Sequence, residues 1–420
     1  MSVPHILLLM PFLPTATHAG PVFIRDLLRH YPKEKLCCFS VAPNYTGSPP
    51  PAEYEGFPLA WAPQPPEAGI TKLGRHVAHL HTLAVHHYLR HVRVPALIKQ
   101  AVHFGRQHQV DTVWAILHHH TTLTYMAKPV AEGLNAELIT NVHDPPQQFL
   151  GNHKLQGAIR RMIEGMIEKA FADTLRASVR GGVASEGMQA EYKQRYGLGS
   201  VVLIHGLHPS RKRPPARGLT HPDKFVIGFA GSLYAQREWE ALLSALDQVG
   251  WCIEGRQVTI KLLGGLFNLR AQGKMHIEYL GWRSLDETLD ELSRVDITYL
   301  PYWFDDAHRQ TVRLCFPNKL STYVAAGRPV LYHGPENSSP TRFLQRFPVG
   351  LCCHSLDKSE IIAILRRFVV DREFYASAAQ QTQTAVDEEL NLTVFRRRFA
   401  AFIGISENEL LPVAADERKL

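Results

Sequence analysis

The sequence predicts an α/β protein made of two doubly wound domains that face each other across a cleft. A chain of 420 residues is too long for one compact core, and two domains are the usual solution. Short apolar runs alternate with helical segments in both halves, which is typical of parallel sheets with crossover helices. The stretch from Pro209 to Asp223 is rich in proline and charge and interrupts this alternation, so we predict a linker there.

The first domain is assigned to residues 1–208. Continuous apolar runs predict buried parallel strands over 5–12, 35–42, 111–117, 136–144 and 201–205. Helical spacing of apolar residues predicts helices over 22–31, 71–108, 155–172 and 187–196.

The second domain is assigned to residues 224–385 and repeats the pattern, so it is a second Rossmann-like unit. Its predicted strands cover 224–231, 257–265, 275–281, 295–301, 328–334 and 349–354. A further helical stretch follows over about 371–406. Open sheets of this kind bind ligands at the carboxyl ends of their strands, which places the expected site in the cleft.

Composition and cysteine usage indicate a cytoplasmic globular protein. No apolar run approaches the ~18 residues of a membrane span. The six cysteines form no C-x-x-C pair, and the adjacent pairs at Cys37 and Cys352 lie in apolar runs, which favours buried thiols over disulfides or zinc. The apolar start has no basic residue ahead of it and contains proline, which favours a first strand over a signal peptide.

The formal net charge of +7 suits an anionic substrate or an acidic membrane surface and does not indicate nucleic acid. The long predicted helix carries Arg75, Arg90, Arg93 and Lys99 beside apolar positions. Two interpretations stay open, a solvated amphipathic helix or peripheral contact with the inner membrane surface, which would suit a lipid-linked acceptor.

Two common nucleotide-binding signatures are absent from the sequence. The loop after the first strand, PFLPTATHAGPVF, has one glycine where a dinucleotide site has G-x-G-x-x-G, and no Walker A sequence occurs. Both absences disfavour a nicotinamide oxidoreductase or a P-loop enzyme. His118, His119 and His120 lack companion ligands and no D-x-D occurs, so we expect no metal and no cofactor, and place these histidines beside the acceptor.

The second domain has the features of an anion site at two helix starts. Gly231 and Ser232 allow close backbone approach, and Arg237 follows at the start of a helix. Pro317 suits the first turn of another helix, and Lys319 in that turn is unfavourable with the helix dipole unless an anion compensates it. A pyrophosphate is a ligand of this kind. The alternative is that Arg237 and Lys319 are ordinary surface cations.

Three runs in sequence order carry a resemblance: GFAGSLYAQREWEALLSAL, IEYLGWRSLDETLDELSRVDITYLPY and FPNKLSTYVAAGRPVLYHGPENSSP. Together they resemble the donor domain of GT-B glycosyltransferases, most closely the GT4-like family, over residues 224–355 and more loosely before them. The resemblance implies transfer of a sugar from a UDP- or GDP-linked donor on the second domain to a sugar or lipid-linked acceptor on the first. It also implies that a helix over about 386–415 returns to the first domain.

The resemblance implies further binding residues. Trp282 stands where the family places the nucleobase, with a core tryptophan as the alternative. The family's two glutamates, eight positions apart, are replaced by Leu314 and Thr322, so Thr322 offers only a hydroxyl. Gly20 matches the second glycine of the family's first loop, and Ala19 stands at the first.

His143 and Asp144 in NVHDPP match the family's strand-end His-Asp, and such a pair can orient an acceptor hydroxyl and manage its proton. A capping interaction is the alternative. In inverting GT-B enzymes a first-loop histidine, here His18, pairs with a distant aspartate, here Asp144, and acts as the base. The GT4-like motifs favour the retaining route instead, and the missing glutamates leave a nucleotide-sugar-binding protein without catalysis as a further hypothesis.

Overall fold

The computed structural model describes residues 3–12, 24, 27–43, 57–67, 75–118, 120–146, 157–265 and 269–412. The chain forms two compact units, one of Met1–Leu203 with Arg396–Leu420 and one of Ile204–Phe395. Each unit contains a mainly parallel sheet with helices in the connections, so the predicted α/β, doubly wound fold class is confirmed.

The sheet of the first unit is parallel and has the strand order β3-β2-β1-β4-β5-β6-β7. Its strands are β1 (Ile6–Met10), β2 (Leu36–Ala42), β3 (Leu59–Pro63), β4 (Thr112–Leu117), β5 (Glu137–Val142), β6 (Arg180–Val183) and β7 (Ser200–Val202). Its helices are α1 (Arg75–Tyr88), α2 (Val94–Gln107), α3 (Thr121–Leu134), α4 (Gly157–Ala177) and α5 (Glu186–Tyr196), with a π-helical turn, Leu89–Arg93, between α1 and α2. The strand order changes direction between β1 and β4, where sheets of this kind bind ligands.

The second unit has the order β11-β10-β8-β12-β13-β14, and the short β9 pairs antiparallel with β10. Its strands are β8 (Lys224–Ala230), β9 (Cys252–Ile253), β10 (Arg256–Leu263), β11 (Ile277–Gly281), β12 (Ile297–Pro301), β13 (Val330–His333) and β14 (Gly350–Cys353). Its helices are α6 (Gln236–Gln248), α7 (Leu285–Leu292), α8 (Arg309–Leu314), α9 (Asn318–Ala325), α10 (Ser339–Arg346), α11 (Lys358–Val370) and α12 (Arg372–Glu388). Here the strand order changes direction between β8 and β12.

The basic stretch that we expected to be a linker packs within the second unit. Arg211, Lys212 and Arg213 pair with Asp286, Asp387 and Asp290 at 3.1, 2.6 and 2.8 Å, respectively. Backbone bonds also tie the stretch to the end of α9 and the turn after it, from Arg213 to Ala325 and from Ala216 to Gly327. The three cations are therefore paired with acids on α7 and α12.

The last helix, α13 (Leu392–Ile403), crosses the division between the units. Its later part packs on the first unit, where Phe399 and Phe402 lie 5.6 and 5.5 Å from the ring of Trp114 on β4. Arg396 on this helix is buried, and its guanidinium donates to the ring nitrogen Nδ1 of His30 at 2.7 Å. No helix in the described ranges is long and apolar enough to cross a membrane.

Candidate functional site

Two glycines in separate loops lie close together at the carboxyl end of the second sheet. Gly231 follows β8 with φ +100°, and Gly264 follows β10 with φ +138°. A Cβ on Gly264 would lie 2.4 Å from the carbonyl oxygen of Gly231, and a Cβ on Gly231 would lie 2.8 Å from Cε of Lys319. Both positions therefore need glycine because of backbone angle and space.

Lys319, in the first turn of α9, reaches the Gly231–Ser232 turn. Its amine donates to the carbonyl oxygen of Ser232 at 2.6 Å and lies 4.2 Å from the ring centroids of Phe229 and Tyr234. Burial lowers the pKa of this amine well below its usual value. Among the described residues Lys319 forms no salt bridge, and these contacts hold its amine at the turn, so its interpretation as an ordinary surface lysine is wrong.

The other predicted donor-site residues lie on nearby elements of the same unit. Ser232 and Arg237 are exposed, and Arg237 is the second residue of α6. Pro317 is the residue before α9, which begins at Asn318, and Thr322 lies half-buried on α9. The start of α6 therefore follows the end of β8 in the chain, and the start of α9 approaches the same strand end through Lys319.

Trp282 directly follows β11 and leaves 66% of its side-chain surface exposed. A core tryptophan is therefore excluded, and the ring face is accessible to a planar ligand. Leu314, at the end of α8, is buried.

An aromatic segment follows β12, on the other side of the change in strand order. The Trp303 and His308 rings stack at 4.4 Å, and Tyr234 lies 4.8 Å from Trp303. The buried carboxylate of Glu238 accepts the backbone N–H of Phe304 at 2.8 Å, and burial raises the pKa of Glu238. No motif in the sequence marks this segment, because its contacts join residues that are far apart in the chain.

Three neighbouring strands of the first unit bring polar and aromatic side chains together at their carboxyl ends. His118 follows β4, and its Nδ1 contacts the carboxylate of Asp144, which follows β5. The His143 ring lies 5.3 Å from that of His118, and the Phe12 ring, after β1, lies 6.5 Å from it edge-on. The structure therefore places the predicted His143 and Asp144 at a strand-end site, and it adds His118 as the partner of Asp144.

The start of α3 next to this cluster is capped by a distant carboxylate. Glu67 accepts the backbone N–H groups of Thr121 and Thr122 at 3.0 and 2.9 Å, and the hydroxyl of Thr122 at 2.7 Å. His120 lies 3.9 Å from the same carboxylate. This cap fixes the helix start immediately after the His118 segment.

Two predicted site residues, His18 and Gly20, lie outside the described residues. Within the described part of the chain, no group of three or more His, Cys, Asp or Glu side chains is arranged to hold a metal.

Comparison with solved structures identifies the fold. HepE from Anabaena in complex with UDP superposes with a TM-score of 0.64 at 15% identity, over 95% of this chain and 99% of that chain. The α,α-trehalose 6-phosphate synthase from Burkholderia multivorans gives 0.63 at 12% identity over 96% and 97%. The lipopolysaccharide outer core galactosyltransferase WaaB gives 0.61 at 12% identity over 95% and 99%.

The chain therefore has the GT-B fold of two Rossmann-like domains, as the motif resemblance implied. No protein-family model matches the sequence, and no curated protein matches it. HepE has also been solved in complex with UDP-glucose, so that neighbour binds a nucleotide-sugar.

Proposed function

We propose that the chain is a glycosyltransferase that moves a sugar from a nucleotide-diphosphate sugar to a hydroxyl acceptor. The donor is assigned to the second unit and the acceptor to the first. The observation that carries the proposal is the Lys319 amine held at the Gly231–Ser232 turn, beside the starts of α6 and α9. Two proteins that share the fold support this assignment: HepE has been solved with UDP-glucose, and WaaB is a galactosyltransferase.

The second unit supplies what a diphosphate requires. Backbone N–H groups at a helix start and a fixed cation both favour a phosphate oxygen. Gly231 permits close approach, Arg237 is exposed on the first turn of α6, and Lys319 reaches the turn from α9. In this proposal these cations neutralise the leaving diphosphate without a metal ion and without a cofactor.

The rest of the donor is assigned by position. The exposed ring of Trp282 stacks on the base of a UDP- or GDP-linked donor, and Thr322 offers one hydroxyl. The buried Leu314 contributes no polar group, so this enzyme recognises the donor's hydroxyls with a different residue set from the family's two glutamates.

Two stereochemical routes start from this donor site. The GT4-like motifs support retention, in which the leaving phosphate accepts the acceptor proton. Inversion requires a base in the acceptor unit, and His143, Asp144 and His18 are the residues that the sequence offers for it.

The sequence allows a sugar or a lipid-linked acceptor, and one surface of the first unit favours the lipid-linked acceptor. Leu80, Tyr88 and Val92 are 63%, 50% and 50% exposed along α1 and the π-helical turn after it. Arg90 and Lys99 are exposed on the same helical run, a combination that suits peripheral contact with an anionic membrane.

The test is a thermal-shift and hydrolysis screen of UDP- and GDP-sugars with NAD and NADP as controls. One nucleotide-sugar should raise the melting temperature, and Arg237→Ala and Lys319→Met should remove the shift. Lys193→Met is the matched control because Lys193 is exposed on α5 of the first unit. Donor hydrolysis or transfer distinguishes an enzyme from a binding protein without catalysis. A response to NAD or NADP alone, or to no compound, contradicts the proposal.

A further inference from the structure

The aromatic segment after β12, residues 302–308, lies at the change in strand order of the second sheet. One ring joins it to the Gly231–Ser232 turn. The amine of Lys319 lies 4.2 Å from the ring centroid of Tyr234, and that ring lies 4.8 Å from the ring of Trp303. A nucleotide-sugar carries its sugar directly on the diphosphate, so a diphosphate at Lys319 places the sugar near this segment.

Contacts within the second unit hold the aromatic segment in position. The backbone N–H of Phe304 donates to the buried carboxylate of Glu238 at 2.8 Å. Asp305 caps the short turn after it and accepts the backbone N–H of His308 at 3.1 Å. The rings of Trp303 and His308 stack at 4.4 Å with 8° between their planes. A surface fixed in this way loses little conformational entropy when it binds a ligand.

Three side chains of the aromatic segment combine ring surface with hydrogen-bonding groups. Trp303 is half-buried, and the side chains of Asp305 and His308 are 42% and 40% exposed. Nδ1 of His308 bonds the Asp305 carboxylate at 2.7 Å, which leaves Nε2 as the nitrogen that a hydroxyl can approach. A sugar presents C–H groups on the faces of its ring and hydroxyls around the rim. Aromatic rings attract the C–H groups, and a carboxylate or an imidazole nitrogen accepts from the hydroxyls.

We propose that Trp303, Asp305 and His308 bind the transferred sugar of the donor and select a neutral sugar over a uronic acid. This inference rests on the proposed function. The exposed parts of the Trp303 and His308 rings contact a C–H face of the sugar. The Asp305 carboxylate and Nε2 of His308 accept hydrogen bonds from its hydroxyls. A uronic acid would bring a second carboxylate beside Asp305, and this like-charge contact disfavours its binding.

The first experiment measures sugar selection by the full wild-type chain. Calorimetry compares UDP-glucose, UDP-galactose and UDP-N-acetylglucosamine with UDP-glucuronate, and GDP-mannose with GDP-mannuronate. At least one neutral nucleotide-sugar should bind about tenfold or more tightly than the uronate with the same nucleotide. Equal affinities, or preference for the uronate, overturn the inference and leave the proposed function intact. Binding of none of these compounds overturns both.

Variants then separate sugar binding from nucleotide binding. Asp305→Asn and Trp303→Leu should each weaken the preferred neutral nucleotide-sugar about tenfold. Both should keep the wild-type affinity for the nucleoside diphosphate alone, UDP or GDP, which a general folding defect would not do. Asparagine can still cap the turn, so Asp305→Asn removes the charge and retains the local fold. The same variant should also discriminate less against the uronate.

The neighbouring carboxylate supplies the matched control. The Asp306 side chain is 84% exposed and pairs with Arg309, so Asp306→Asn should leave both affinities unchanged. If Asp305→Asn and Trp303→Leu weaken the nucleoside diphosphate and the nucleotide-sugar equally, the aromatic segment supports the fold and does not bind the sugar. Wild-type affinity for the nucleotide-sugar in both variants contradicts the inference as well.

Discussion

The amine of Lys319 donates a 2.6 Å hydrogen bond to the carbonyl oxygen of Ser232, on the turn that ends the first strand of the second unit. The rings of Phe229 and Tyr234 cover the same amine. Removal of water from the ammonium lowers the pKa of Lys319, since the charged form loses more hydration than the neutral form. A diphosphate beside the amine would restore the charged form and raise that pKa again.

Donor binding should therefore take up a proton at Lys319. The free protein binds this proton less tightly than the complex, so affinity is fully present below the pKa of the free protein and falls as pH rises above it. Calorimetry of UDP in buffers of different ionisation enthalpy measures the uptake directly. Lys319→Met should bind more weakly and take up fewer protons. Equal uptake in the wild type and Lys319→Met would show that another group is responsible.

Gly264→Ala should distort the backbone around Gly231 and Gly264 without a change of charge. The added Cβ meets the backbone of Gly231, and the φ of +138° is strained for any side chain, so we expect a loss of about 2 kcal/mol or more in the free energy of unfolding. The donor-induced thermal shift should fall as well. Gly218→Ala is the control because an added Cβ there meets no atom within 4 Å. Equal melting temperatures for the two variants would contradict the role of these two glycines.

The sequence predicted the strands that are continuous and apolar, such as β1, β4 and β8, because an uninterrupted apolar run by itself indicates a buried strand. It did not predict β6, where Gly181 and Gly182 have low strand propensity. The structure explains them, since a Cβ at either would lie 2.6 Å from Leu198 or Leu203. The sequence also did not predict α3, because this helix contains Pro129 and its start is capped by the distant Glu67. Neighbouring residues cannot reveal a requirement set by a distant part of the chain.

In the candidate site, too, local sequence predicted the positions set by nearby residues and not the contacts set by distant ones. The motifs placed Gly231 after a strand and Arg237 and Lys319 in the first turns of helices, because local turn and helix chemistry defines those positions. In the inverting alternative the resemblance pairs Asp144 with His18, which lies outside the described residues, whereas the described structure shows contact of Asp144 with His118. That contact depends on β4 and β5 being neighbours in the sheet, which spacing along the chain does not determine.

Asp296→Ala should destabilise the second unit strongly. The buried carboxylate accepts the backbone N–H and hydroxyl of Thr220 at 2.6 and 2.8 Å, and the backbone N–H of Val226 at 2.6 Å. Its removal leaves these donors without their acceptor, so we expect a loss of about 3 kcal/mol in the free energy of unfolding. Urea unfolding measures the change. Asp306→Ala, at a side chain 84% exposed, should change stability little, and equal effects would refute the account.

His333 should make stability depend on pH in the mildly acidic range. The ring is buried at the end of β13, with Nε2–H donating to the carbonyl of Ser355 at 2.7 Å and Nδ1 accepting from the hydroxyl of Tyr299 at 2.8 Å. Burial lowers the pKa of His333 to about 4 from an ordinary value of 6.5. Between these values the unfolded chain binds a proton that the folded chain does not, so stability is complete above the unfolded pKa and falls as pH decreases toward 4.

The expected contribution is about 2 kcal/mol between about pH 7 and about pH 5. Urea unfolding of the wild type and His333→Gln at both pH values measures the contribution of His333 to the free energy of unfolding. Glutamine keeps polar atoms at this position and does not titrate. The variant should be less stable than the wild type near neutral pH and should lose less stability on acidification. If both proteins lose the same free energy between the two pH values, the buried imidazole of His333 does not stay neutral in the folded state, and the acid sensitivity belongs to other groups.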